Sequence, residues 1–178
     1  VLALTQDRYR FAAGLTPRSL LLYDSVSQVE RRIQLDGGRL RALAFSPQAD
    51  YLVVGGEVYL RVLDTLDWRR TKEVKWVAHD AAPGEVLALA FPTKDRLLVA
   101  YRRPAGKTFP YGYRLYSFPE LKRITTQRLE AEAAFVAASL TSRWLVLGDR
   151  QGSILRIPPK TGKASPLLPD GTSDWAGI

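Results

Sequence analysis

Residues 42–64 read ALAFSPQADYLVVGGEVYLRVLD, and this stretch sets the pattern for the rest of the chain. Two short apolar runs, Ala42–Phe45 and Tyr51–Val54, are separated by Ser46, Pro47 and Asp50. Pro fixes its own φ, and Ser and Asp side chains bond to nearby backbone, so this spacer predicts a turn between two strands. Gly55-Gly56 supplies a second turn. A third strand, Val58–Leu63, follows and ends on the pair Leu63-Asp64.

The same unit recurs along the chain. Leu2-Ala3-Leu4-Thr5 aligns with Leu43-Ala44-Phe45-Ser46, then with Leu89-Ala90-Phe91-Pro92 and Val136-Ala137-Ala138-Ser139. Each is followed by a polar turn and a second apolar strand, at Tyr9–Ala13, Tyr51–Val54, Arg96–Tyr101 and Trp144–Leu147. Third strands fall at Leu20–Tyr23, Val58–Leu63, Tyr113–Phe118 and Ile154–Ile157. More polar fourth strands fall at Val29–Gln34, Lys72–Val77, Arg123–Leu129 and Lys163–Leu168. Four short strands in each repeat of about 40–45 residues is the period of a β-propeller blade. The expected fold is therefore all-β, a propeller of four four-stranded antiparallel blades. Their bounds are about 1–38, 39–84, 85–133 and 134–170, with 171–178 opening a further blade. Glu130–Ala134 has helix propensity, but it falls where the fourth unit needs its link and first strand, so a strand is expected there.

The repeat resembles the WD-repeat propellers. Phe45-Ser46-Pro47-x-x-Asp50-Tyr51-Leu52 looks like that family's turn between first and second strands. Residues 148–154, Gly-Asp-Arg-Gln-Gly-Ser-Ile, look like its turn between second and third strands, and Thr161-Gly162-Lys163 like its turn into the fourth. At the family's Trp-Asp positions stand Tyr23-Asp24, Leu63-Asp64, Tyr116-Ser117 and Ile157-Pro158, so no unit carries the Trp. His79, preceded by Ala78, is the single residue in place of a Gly-His pair. The resemblance implies a divergent propeller, a repeat protein whose role is protein–protein interaction.

Residue types along each unit agree with a radial arrangement. First strands are rich in Ala (Ala3, Ala42, Ala44, Ala88, Ala90, Ala137, Ala138), which suits strands that converge near an axis. Fourth strands carry Arg31, Arg32, Lys72, Lys75, Arg123, Arg128 and Lys163. Charge on an outermost strand discourages edge-to-edge pairing and accounts for much of the net charge of +8.

No stretch is apolar for long enough to cross a bilayer, so membrane insertion is not expected and a cytoplasmic location is. The chain has no Cys and one His, no Gly-rich phosphate loop and no pair of His at metal spacing. No catalytic residue, metal or cofactor is therefore expected. His79-Asp80 reads as a loop pair with a local structural bond, and the first strands offer a central hydrolytic site almost no reactive side chains.

One feature departs from the regular plan. The turn between second and third strands of the third unit is expanded to residues 102–112. It combines Arg102, Arg103 and Lys107 with Phe109 and Tyr111. Loops carried by a rigid scaffold are common recognition elements, and Arg with aromatics grips acidic peptides or stacked bases. These five residues are the expected partner-binding site. The expected function is a non-catalytic protein–protein interaction scaffold, a domain or subunit of a larger assembly, with a protein or additional propeller blades as partner. The alternative is a nucleic-acid-binding propeller that uses its basic surface and the 102–113 loop.

The ends add a further expectation. The chain starts at Val1, contains no Met, opens on a first strand and closes on Leu168–Ile178, which resembles the link to a new blade begun at Trp175. This reads as part of something longer, an unfinished ring. Its end blades are expected to show Phe11 and Leu21 on one side and Trp144 and Ile154 on the other.

Overall fold

A computed structural model describes residues 1–6, 9–65, 84–103, 110–138 and 144–167, together with the backbone of 72–77. Its strands are β1 (Leu2–Leu4), β2 (Arg10–Thr16), β3 (Ser19–Asp24), β4 (Val29–Gln34), β5 (Leu40–Phe45), β6 (Tyr51–Gly56), β7 (Leu60–Asp64) and β8 (Lys72–Val77). The second half holds β9 (Glu85–Thr93), β10 (Arg96–Arg102), β11 (Tyr111–Ser117), β12 (Arg123–Leu129), β13 (Ala133–Ala138), β14 (Leu145–Asp149), β15 (Ile154–Ile157) and β16 (Ser165–Pro166). They form four antiparallel sheets in simple sequential order, β1–β4, β5–β8, β9–β12 and β13–β16. No helix occurs among the described residues. The protein is all-β, and its sheets form an incomplete propeller-like arrangement.

The local reason for each sheet is visible in the quoted stretch. The Ser46 N–H donates to Tyr51 O (2.9 Å) and the Ala49 N–H to Ser46 O (2.8 Å), while Ser46 Oγ accepts from the Tyr51 N–H (3.1 Å). The chain then returns so that the Thr65 N–H reaches Asp50 O at 2.8 Å. The same bond recurs in two other sheets, from Ser25 to Tyr9 O (2.8 Å) and from Phe118 to Asp95 O (2.9 Å). Repetition of one backbone bond at equivalent positions is the structural counterpart of the sequence repeat.

Some strand bounds move. The third strand expected from Val58 starts at Leu60, because the Gly56 N–H bonds Tyr59 O (2.9 Å) and leaves Val58 exposed in the turn. Of the last strand expected over Lys163–Leu168, Ser165–Pro166 pairs with β15, the Leu167 N–H reaches Ile154 O at 2.8 Å, and Leu168 lies outside the described residues. Residues 133–138 are a strand, as the repeat requires, and not a helix.

Packing follows from the alternation of side chains across each sheet. One cluster fills the space between the first two sheets, with Ala12, Leu20 and Leu22 against Leu43, Leu52 and Val54. A second joins Val53, Leu60 and Val62 to Leu89, Leu97 and Val99. A third joins Ala90, Leu98 and Leu115 to Leu145, Leu147 and Ile157. The Ala-rich first strands sit where sheets converge: β1 packs beside β5, β5 beside β9, and β9 beside β13.

The outward faces of the first and last sheets have no such cover among the described residues. On the first, Leu2 and Leu4 are 61% and 56% exposed. Phe11 and Leu21 are half-buried there, Phe11 lying 5.2 Å from the Tyr23 ring. On the last, Phe135 and Trp144 are exposed and Ile154 is half-buried.

Candidate functional site

Gly84 decides how the third sheet begins. Its φ is +119°, and a Cβ there would lie 2.3 Å from the Arg102 carbonyl oxygen. A residue without a side chain lets the link run against the end of β10, which brings Glu85 beside Arg102. Arg102 Nε donates to Glu85 Oε2 at 2.9 Å, and its Nη2 reaches the same oxygen. The other oxygen, Glu85 Oε1, accepts from Arg41 Nε of the preceding sheet at 2.7 Å.

The pattern continues in both directions. Arg41 Nη2 also reaches Glu57 Oε1 (3.3 Å). Arg102 Nη1 lies 3.8 Å from Glu132 Oε2, and Arg150 Nε lies 3.6 Å from Glu132 Oε1. The result is a row of alternating charge, Glu57–Arg41–Glu85–Arg102–Glu132–Arg150, that crosses three sheets on the face where their links lie. Single ion pairs at a surface are worth about 0–1 kcal/mol, so the row matters more for geometry than for stability.

That geometry has a direction. The carboxylate side chains are sunk, Glu85 at 14% and Glu132 at 18% exposure, while Arg102 (41%) and Arg150 (73%) reach outward. The hydrogen bond that Arg102 donates to Glu85 raises the pKa of Arg102 further above its usual range. Arg41, Glu85, Arg102, Glu132 and Arg150 line an open cavity of about 710 Å³, floored by Val86, Leu87 and Ala133. The carboxylates hold the guanidinium groups, and the guanidinium edges face solvent with donors to offer.

Of the five residues expected to bind a partner, Arg102 and Tyr111 are brought together as cross-strand partners at the base of the expanded turn. Arg103 is next to them: its N–H donates to Pro110 O (2.6 Å), and its guanidinium lies 5.7 Å from the centre of the buried Tyr101 ring. Lys107 and Phe109 lie outside the described residues, as do His79 and Trp175. Arg102 is among the residues that line the cavity and Tyr111 is not.

The sequence reading missed Arg41, Glu85, Glu132 and Arg150. The repeat itself carried a signal for Glu85, Glu132 and Arg150, though not for Arg41. In the register that aligns Leu43, Leu89 and Val136, residues 39, 85 and 132 are equivalent, and so are 57, 102 and 150. Those positions hold Arg39/Glu57, Glu85/Arg102 and Glu132/Arg150, opposite charges in three of the four units with the order reversed in one. In that unit the Arg39 backbone N–H donates to Glu57 Oε2 (3.2 Å).

No protein-family model matches this chain, and no curated protein matches it. Among the described residues, no helix is long and apolar enough to cross a membrane.

Proposed function

We propose that this protein is a non-catalytic binding scaffold, a domain or subunit of a larger assembly, that holds a protein partner at the rim of the 710 Å³ cavity. The observation that carries this reading is the charge row across three sheets. It fixes outward guanidinium groups on strands and links, not on free side chains, and so lowers the cost of ordering them on binding. A partner carrying carboxylates or free backbone carbonyls meets the donors of Arg150, Arg102 and Arg41, with Arg103 next to Arg102 in the chain. The finer assignment to a divergent WD-repeat propeller belongs to the same proposal. It is supported by Asp24 and Asp64 at equivalent third-strand ends and by the backbone bond repeated in three sheets.

Nucleic acid is the second reading, favoured by the net charge of +8. The alternation of Glu57, Glu85 and Glu132 with the guanidinium groups counts against it, because a nucleic-acid footprint is a continuous basic patch or stripe. One experiment separates the two. Wild type and an Arg102→Glu/Arg103→Glu/Lys107→Glu variant are compared in affinity capture and in binding to random single-stranded RNA over a salt series. Captured proteins that are lost by the variant, with weak RNA binding, are the expected result. Tight RNA binding that falls steeply with salt would replace the protein reading, and identical capture by both chains would remove the site.

A further inference from the structure

The charge row is regular in a way that bears on what it can hold. Arg41 lies on β5, Glu85 and Arg102 face each other at the paired ends of β9 and β10, and Glu132 and Arg150 adjoin β13 and β14. Where the second sheet meets the third, and the third meets the fourth, one carboxylate stands between two guanidinium groups. Glu85 takes Arg41 on Oε1 (2.7 Å) and Arg102 on Oε2 (2.9 Å). Glu132 stands between Arg102 (3.8 Å) and Arg150 (3.6 Å) in the same fashion.

This arrangement sets an interval. Two guanidinium groups on the two oxygens of one carboxylate lie roughly 6–8 Å apart, the span of two hydrogen bonds of about 2.8 Å with the carboxylate between them. The longer contacts of Glu132 widen the second interval, and Arg150, 73% exposed, is free to shorten it. Side chains on one side of an extended chain repeat about every 6.6 Å, two residues of rise. An extended segment with an acid at every second residue therefore meets Arg41, Arg102 and Arg150 in turn.

Alternation also excludes. A carboxylate set opposite Glu85 or Glu132 meets like charge, and such a contact suppresses wrong partners. Among the residues that line the cavity, three guanidinium groups face two carboxylates, so the rim keeps a net attraction for anions. Donors also remain to meet them. Arg102 places Nε and Nη2 on Glu85, while its Nη1, 3.8 Å from Glu132, is beyond hydrogen-bond length of that acid. Val86, Leu87, Ala133 and Ala134 give the methylene stems of bound acidic side chains an apolar surface.

We infer, taking the cavity rim as the binding surface proposed above, that the partner presents an extended acidic segment with carboxylates at alternate residues, one to each of Arg41, Arg102 and Arg150. The row then selects for the spacing of negative charge and not for its amount. A partner that is merely acidic sets some of its carboxylates against Glu85 and Glu132, and binds less well for it.

Two labelled, end-blocked peptides of equal composition test this by fluorescence anisotropy, Thr-Glu-Thr-Glu-Thr-Glu-Thr and Glu-Thr-Thr-Glu-Thr-Thr-Glu. Thr is β-branched and keeps both extended. Low ionic strength is used, where partly exposed ion pairs are least screened. The alternating peptide gains two further exposed pairs and is expected to bind about tenfold more tightly. Arg150→Gln, on a highly exposed side chain, is expected to remove most of that advantage without changing the circular dichroism spectrum. Equal binding of the two peptides, binding of neither, or an advantage that survives both Arg150→Gln and Arg102→Gln would overturn the inference. Proteins captured by wild type and lost by the Arg102→Glu/Arg103→Glu/Lys107→Glu variant, together with equal peptide binding, would end the spacing and leave the scaffold reading in place.

Discussion

Tyr113 offers the sharpest measurement of how one sheet is fixed to the next. It is fully buried on β11, and its hydroxyl donates at 2.7 Å to the carbonyl of Gly162, 49 residues later and also buried. Tyr113→Phe keeps the ring and removes the donor, leaving a buried carbonyl without that partner. Such a change costs about 1–3 kcal/mol, and about 1.5 kcal/mol is a fair working value. The hydroxyl also titrates. Burial pushes its pKa from 10.0 up to about 12. A raised folded-state pKa means that the stabilisation is whole below pH 10.0 and is lost as the pH climbs toward about 12. At pH 11 the unfolded state is largely ionised and the folded state is not, which takes about 1.4 kcal/mol from wild type. Tyr113→Phe has no such loss. The gap between the two chains in urea unfolding should therefore be about 1.5 kcal/mol at neutral pH and close to zero at pH 11. Every other group is the same in both chains and cancels in the difference. Equal stability at neutral pH, or a gap that does not narrow on the alkaline side, would refute the assigned bond.

Two further predictions test the interior. Gly55→Ala places a Cβ 2.5 Å from Val86 Cγ1 across the contact between the second and third sheets, and overpacking of this kind costs about 1–3 kcal/mol. A second substitution, Val86→Ala, should return part of that stability in chemical denaturation; no recovery would mean that the two sheets do not meet there. Asp24 is held by the N–H groups of Val26 (2.9 Å) and Ser27 (3.1 Å) and by Arg10 Nε (3.2 Å). Burial alone would raise its pKa, but these bonds and the Arg10 charge outweigh it and leave the carboxyl below its ordinary 3.8. Its contribution is present above that value and disappears as the pH falls below it. Asp24→Ala should cost about 1–3 kcal/mol at neutral pH, with the difference from wild type narrowing in acid, as followed by thermal unfolding from neutral to strongly acidic buffers.

Much of this fold was legible because its determinants are local. Alternating apolar residues and a polar turn between the first two strands recur in each unit, Asp ends the third strand in two of them, and antiparallel sheets in sequential order need no long-range information. Arg102, Arg103 and Tyr111 were legible as the base of an expanded turn for the same reason. The site around them was not. Arg41, Glu85, Glu132 and Arg150 lie on different sheets, and their meeting depends on how those sheets stack and on one glycine letting the Glu85 link lie against β10. The chain alone determines a repeated, all-β unit with basic outer strands. Only the tertiary structure decides which charges become neighbours, because side chains remote in sequence come within 4 Å of each other through the packing of whole sheets.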